Sequence, residues 1–313
     1  MSILINETQR YTLHPIKYNK IWDMYNKQRT CFWVPSEIDF SNDYNDWIKL
    51  NENEQHFIKN ILAFFACADG VVSLNILNNF SQKIKILEAQ YTYNYQCTIE
   101  GIHNEVYSIM IDIFIKNNEE KNKLFNAIEE IDYISKKTKW SLNWCNGDIV
   151  IDLLAFTIME GLFFSSAFCA IYWIKQRNIL KGLTLSNEFI ARDERLHTEF
   201  ACLLFSMCEN KPNKEYVYNM IDDALNIEID FIVNSLPVSL IGMKSDSMIQ
   251  YVKYVADILL SMLGYDKKFN VINPFTFMNT IGIESRSNFF DERSTNYQKI
   301  INNEKILNFV EDF

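Results

Sequence analysis

Two of the chain's four histidines follow a glutamate by three residues: Glu100 and His103 in EGIH, and Glu194 and His197 in ERLH. On a helix, positions three apart lie about 60° apart around the axis, so each pair aims one carboxylate and one imidazole at the same spot. Two such helices can surround a pair of metal ions. A dinuclear carboxylate site in a helical bundle also needs one further acid from each of two other helices. The sequence offers Asp69, in FFACADG, and Glu160, in FTIMEGLFF, each set among apolar residues. An unpaired buried carboxylate is costly, so two lone acids on apolar helices call for a cation or a proton. Taken singly, either could be a protonated core carboxylate. Four helices each presenting an inward acid, two of them with a histidine, point instead to metal. Oxygen-rich ligation with one imidazole per ion suits iron or manganese better than zinc or copper.

Other chemistry is poorly served. The eight glycines form no GxGxxG or Walker loop, and there is no GxSxG. His14, beside Pro15, and His56, in a polar turn, read as surface residues.

The elements that must position these ligands are helices. With only 8 Gly and 5 Pro in 313 residues, long uninterrupted helices in one large domain are expected. The first fifteen residues look extended, and a short amphipathic helix is predicted from Ile16 to Gln28. Asn51 with Glu54 forms a capping-box pattern that opens a long helix to about Ile84. Leu87 to Lys116 reads as a second. Shorter polar helices follow to about Asn146, then an apolar helix from about Asp148 to Arg177. Gly182 is expected to break the chain, with Ser186 capping a helix that carries Glu194 and His197 to about Cys208. Two more helices are predicted over Lys214 to Ser235 and Ser245 to Leu263, the latter closed by Gly264. Strand signals are weak.

With 48% hydrophobic residues the chain can bury a sizeable core, which 23 Phe and 16 Tyr make aromatic. A net charge of −10 without a Lys/Arg cluster argues against nucleic acid as a partner. Seven cysteines (31, 67, 97, 145, 169, 202 and 208) form no CxxC, and their odd number suggests reduced thiols in the cytosol. No export signal is visible at the N-terminus. Between Leu153 and Ile174 the only charge is Glu160, a length that would suit a membrane span. With no second span expected and no basic flank asymmetry, a fully buried central helix is the preferred reading, and no membrane partner is expected.

The segments FFACADGVV, IEGIHNEVYSIMIDIFI, MEGLFFSSAFCAIYWIKQR, GLTLSNEFIARDERLH and NPFTFMNTIGIESRSNFF resemble, in order and spacing, the radical-bearing small subunit of class I ribonucleotide reductase, most nearly its eukaryotic and viral branch. The resemblance runs from about Phe32 to the C-terminus. It implies an all-α, ferritin-like helical bundle with additional helices over 1–290, and a flexible tail over 291–313 that docks a large subunit. It implies two iron ions per chain, oxo-bridged when oxidised, with manganese as an alternative and O₂ as oxidant. By position, Asp69, Glu100 and His103 would hold one ion and Glu160, Glu194 and His197 the other, with Glu100 and Glu194 bridging. Tyr107 would carry the radical inside a pocket of Phe164, Phe168 and Ile190. Asp193 would hold the far ring nitrogen of His103, Trp33 would pass electrons, and Tyr297 would relay the radical across the subunit interface. A homodimer is implied, with Phe309 and Phe313 anchoring the tail on the large subunit.

Two departures stand out: NFVEDF has a shorter acidic spacer than the family's usual eukaryotic tail, and VVSLNIL follows Asp69 where relatives commonly carry an acid. A related di-iron oxidase would share all six ligands without needing Trp33, Tyr297 or the Phe-terminated tail. A ferritin-like iron-binding protein would share them too, but in shorter, cage-forming chains.

Overall fold

The structure, a computed structural model, describes residues 3–144 and 147–278. Among them there is no β-strand, and the chain is a bundle of long helices, as the sequence predicts. Eight are used below: α1 Asn19–Arg29, α2 Glu52–Lys83, α3 Leu87–Phe114, α4 Asp132–Trp144, α5 Ile149–Lys175, α6 Lys181–Ser206, α7 Lys214–Asp230 and α8 Ser245–Met262. Helices α2, α3, α5 and α6 form the central four. Helix α2 packs along α3 and α5 along α6, while α1, α4, α7 and α8 cover the outside.

The ends of these helices explain both the accurate and the inaccurate boundaries. Asn51 Oδ1 accepts from Glu54 N at 3.0 Å and Glu54 Oε2 accepts from Asn51 N at 3.1 Å, the reciprocal box predicted for α2. Gly264, at φ 89°, follows α8 as expected, with Tyr265 N donating back to Leu260 O. Helix α1 begins at Asn19 rather than Ile16, because the amides of Lys17 and Tyr18 donate instead to Glu88 Oε1 on α3, at 2.7 and 3.4 Å. The leader is not wholly extended, since Ile3–Asn6 forms one helical turn.

The start of α6 differs most from expectation. Gly182 lies inside the first turn rather than before the helix, and Ser186 does not cap it: its hydroxyl donates back to Leu183 O at 2.9 Å. The cap comes from another element. Asp43, in the short helix Asp43–Trp47, accepts from Gly182 N at 2.9 Å and Leu183 N at 2.7 Å, and Asp46 accepts from Leu180 N at 3.0 Å. These carboxylates satisfy the unpaired first amides of the helix and complement its dipole. Glycine is needed at 182 because a Cβ there would stand 2.5 Å from Phe40 Cδ1 and 2.9 Å from Asp43 Oδ2. Gly182→Ala should therefore destabilise the protein by about 1–3 kcal/mol in chemical denaturation; an unchanged midpoint would show that the Asp43 contact is not tight.

Contrary to the expectation of a single membrane-length segment, two helices are long and apolar enough to cross a membrane, Glu52–Lys83 and Ile149–Lys175. The apolar window of the second is 94% buried inside the bundle and that of the first 61%, so both are core helices here. Helices α2, α5 and α7 share a further feature. Each runs into or contains a π turn, at Ile76–Phe80, Met159–Phe163 and Phe231–Ser235. The second of these carries Glu160. A π turn adds one residue to a helical turn and redirects the side chains around it.

Candidate metal centre

Asp69 on α2, Glu100 and His103 on α3, Glu160 on α5, and Glu194 and His197 on α6 meet in the middle of the four central helices, all 0–3% exposed. Their ligand atoms form two overlapping groups, Asp69–Glu100–His103–Glu194 and Glu100–Glu160–Glu194–His197, each with all atoms within 4.8 Å of one another. Glu100 and Glu194 belong to both. His103 Nδ1 lies 3.0 Å from Glu194 Oε1, 3.3 Å from Glu100 Oε2 and 3.7 Å from Asp69 Oδ2. His197 Nδ1 lies 2.9 Å from Glu100 Oε1 and 3.2 Å from Glu194 Oε2.

The donor set fits two divalent cations. Asp69 Oδ2, Glu100 Oε2, His103 Nδ1, Glu160 Oε2 and Glu194 Oε1 are all buried without a hydrogen-bond partner, and all belong to the cluster. Buried polar atoms are seldom left so, and a cation supplies what they lack. Four ionised carboxylates and two neutral imidazoles carry −4, which two divalent ions balance. Without metal, protons must do this work. Burial, then the charges of Glu100 and Glu194, pushes the Asp69 carboxyl well up, and burial with the neighbouring Glu194 does the same to Glu160. Burial opposes charge on His197 too, but Glu100 and Glu194 outweigh it and raise the imidazole to about 9.

The second nitrogen of His103 is held from behind. Its Nε2–H donates to Asp193 Oδ2 at 3.3 Å, which leaves Nδ1 facing the cluster. The same oxygen accepts from Trp33 Nε1 at 2.7 Å, and Asp193 Oδ1 accepts from Arg192 Nε and Nη2 at 3.0 and 2.8 Å. Burial works against this carboxylate, yet Arg192 and then His103 hold it below its usual range. The fully buried Trp33 ring lies nearly parallel to the His103 ring, 6.1 Å between centroids.

Tyr107 lies one helical turn beyond His103 on α3 and is 2% exposed, and its hydroxyl has no hydrogen-bond partner. Its ring stacks on Phe65 at 5.0 Å, and Phe65 in turn meets Phe168 at 5.0 Å and Phe164 at 5.9 Å. Burial, then the charges of Asp69, Glu194 and Glu100, pushes the phenol far up, so it stays protonated. Ile190 is fully buried on α6.

The model of the family described as ribonucleotide reductase, small chain, matches residues 10–274. The chain belongs to that family. It is 45% identical over 299 residues to a ribonucleoside-diphosphate reductase small chain of Arabidopsis thaliana, a match that spans 95% of the present sequence and 88% of the relative. It is 46% identical over 300 residues to the small chain of variola virus, spanning 95% and 94% respectively. The solved structure of the Rnr4 homodimer from Saccharomyces cerevisiae superposes with a TM-score of 0.83 at 32% identity, over 95% of the present sequence and 93% of that structure's chain.

Three residues of this small chain lie in the site without having been singled out in the sequence. Gln96 donates from Nε2 to both Glu100 Oε1 and Glu160 Oε1, at 3.3 Å each, and so ties α3 to α5 across the cluster. Phe65 stands between Tyr107 and the two expected phenylalanines, and Arg192 fixes Asp193. The first two had a signal: each lies four residues before a ligand, Glu100 or Asp69, hence on the same helix face. Tyr297, Phe309 and Phe313 lie outside the described residues, as does the proposed tail over 291–313.

Proposed function

We propose that this chain holds a dinuclear iron centre on Asp69, Glu100, His103, Glu160, Glu194 and His197, uses it with O₂ to oxidise Tyr107 to a neutral radical, and lends that oxidising equivalent to a separate large subunit that reduces ribonucleoside diphosphates. The observation that carries this reading is the pair of ligand groups sharing Glu100 and Glu194, with a buried, unpartnered tyrosine one turn beyond His103 on the helix of Glu100. When bound, the metal pair supplies the oxidising power. The residues do the rest. Asp193 fixes the His103 tautomer, the Phe65, Phe164 and Phe168 rings keep water from Tyr107, and Trp33 offers an electron path through Asp193. The same ligands accept manganese.

Wild-type protein should take up two iron ions per chain, and Glu160→Ala should lose most of one, since Glu160 belongs to only one ligand group. Metal analysis that finds neither iron nor manganese after loading would remove the basis of this function.

The partner reading rests on the family and on the sequence of the tail. A homodimer is supported by the Rnr4 homodimer, and a cytosolic location by cysteines that stand as free thiols among the described residues. Phe309 and Phe313 would anchor the tail on the large subunit, and Tyr297 would carry the radical between subunits. Deleting residues 308–313 should leave iron loading and the Tyr107 radical intact but abolish turnover with the large subunit; normal turnover would sink the tail assignment.

A further inference from the structure

The π turn that carries Glu160 is gripped from outside the metal cluster. Lys137 reaches in from α4 and donates from Nζ to the carbonyl oxygen of Phe163, the last residue of the turn, at 3.1 Å. The ammonium lies 2.7 Å from Glu228 Oε2 on α7, and the other oxygen of Glu228 accepts from Ser166 Oγ, three residues past the turn. Lys137 also rests over the faces of Phe231 and Phe64, at 3.6 and 4.2 Å from the centroids. Lys137 and Glu228 are 2% and 0% exposed. On another side of the turn Gly161 abuts α8, where an added Cβ would come within 2.5 Å of Leu259 Cδ2.

A buried ion pair adds little stability that well-packed apolar residues would not match, but it can fix one arrangement over another. Here there is an arrangement to fix. If the extra residue of a π turn migrates along the helix, the residues it passes rotate by about 100°. For Glu160 that rotation would carry the carboxylate away from Gln96 and Glu194. We propose that Lys137, Glu228 and Ser166 form a positioning clamp that locks the Met159–Phe163 turn and so sets the affinity of the Glu100–Glu160–Glu194–His197 half of the centre. The Asp69 half, whose ligands lie on α2, α3 and α6, does not depend on it.

The proposal rests on the dinuclear reading, and Mn(II) titration of the full-length protein, followed by EPR of the free ion, separates the two. K137M/E228Q removes both charges and the carbonyl donor together, so no lone charge is left buried. The variant should take up one Mn(II) with wild-type affinity and a second about 10- to 100-fold more weakly. Ser166→Ala, which removes no charge, should give the same selective loss in smaller measure, and it carries the test if the double variant does not fold. Two ions bound with wild-type affinity, or equal weakening at both positions, would overturn the clamp. Wild-type protein that takes up no Mn(II) or iron would overturn the dinuclear reading and the clamp with it.

Discussion

Tyr107→Phe protein should load iron as the wild type does, show no tyrosyl radical after exposure to O₂, and support no turnover with the large subunit above background. Phenylalanine fills the same space against Phe65 but has no phenolic proton and electron to give up. The Tyr107 hydroxyl makes no hydrogen bond, so its removal leaves no partner stranded. Folding stability should stay within about 1 kcal/mol of wild type, or rise slightly, because a buried unsatisfied group is being deleted. Loss of radical with stability and metal content preserved separates a redox role from a packing role. An unchanged tyrosyl signal in this variant would place the radical on another residue.

Trp33→Phe should break electron delivery while leaving the metal in place. The indole is fully buried, donates to Asp193 Oδ2 at 2.7 Å and lies beside His103, so the proposed electron path would run from Trp33 through Asp193 to His103. Arg192 and His103 keep Asp193 ionised, so it accepts hydrogen bonds from both Trp33 and His103. Phenylalanine is far harder to oxidise and has no N–H, so reductase turnover should fall to background. Losing a hydrogen bond to a charged group costs about 1.5–3 kcal/mol. The variant should therefore melt lower yet still bind two ions, because all six ligands remain. Turnover comparable to wild type, measured with the large subunit, would show that the electron takes a path that avoids Trp33.

That these six acids and histidines would share one face of their helices was legible in the sequence, and the fold brings them together. Two i, i+3 pairs of Glu and His put a carboxylate and an imidazole on one face of each of two helices, and isolated acids such as Asp69 and Glu160 stand out against apolar helices. Helix α2 was equally plain because its capping box is local. What escaped notice depends on contacts between segments distant in the sequence. Asp43 caps α6 from 139 and 140 positions away, so Ser186 looked like the cap although its own hydroxyl turns back on Leu183. The π turn at Glu160 leaves no mark in the composition of MEGLF, and its Lys137 clamp lies 26 residues before the carbonyl it holds. Gln96 shares a face of α3 with Glu100, four residues on, but its bond to Glu160 forms only where α5 packs against α3.

In the proposed reading, Asp69, Glu100, His103, Glu160, Glu194 and His197 would hold two metal ions, which with O₂ would supply the oxidising equivalent for a radical on Tyr107. EPR of the wild-type protein, loaded anaerobically with Fe(II) and then exposed to O₂, tests it most directly when paired with an iron count on the same sample. The expected result is two irons per protomer and a persistent tyrosyl signal that Tyr107→Phe abolishes. Iron bound in that amount with no tyrosyl signal, or no iron bound at all, would contradict it.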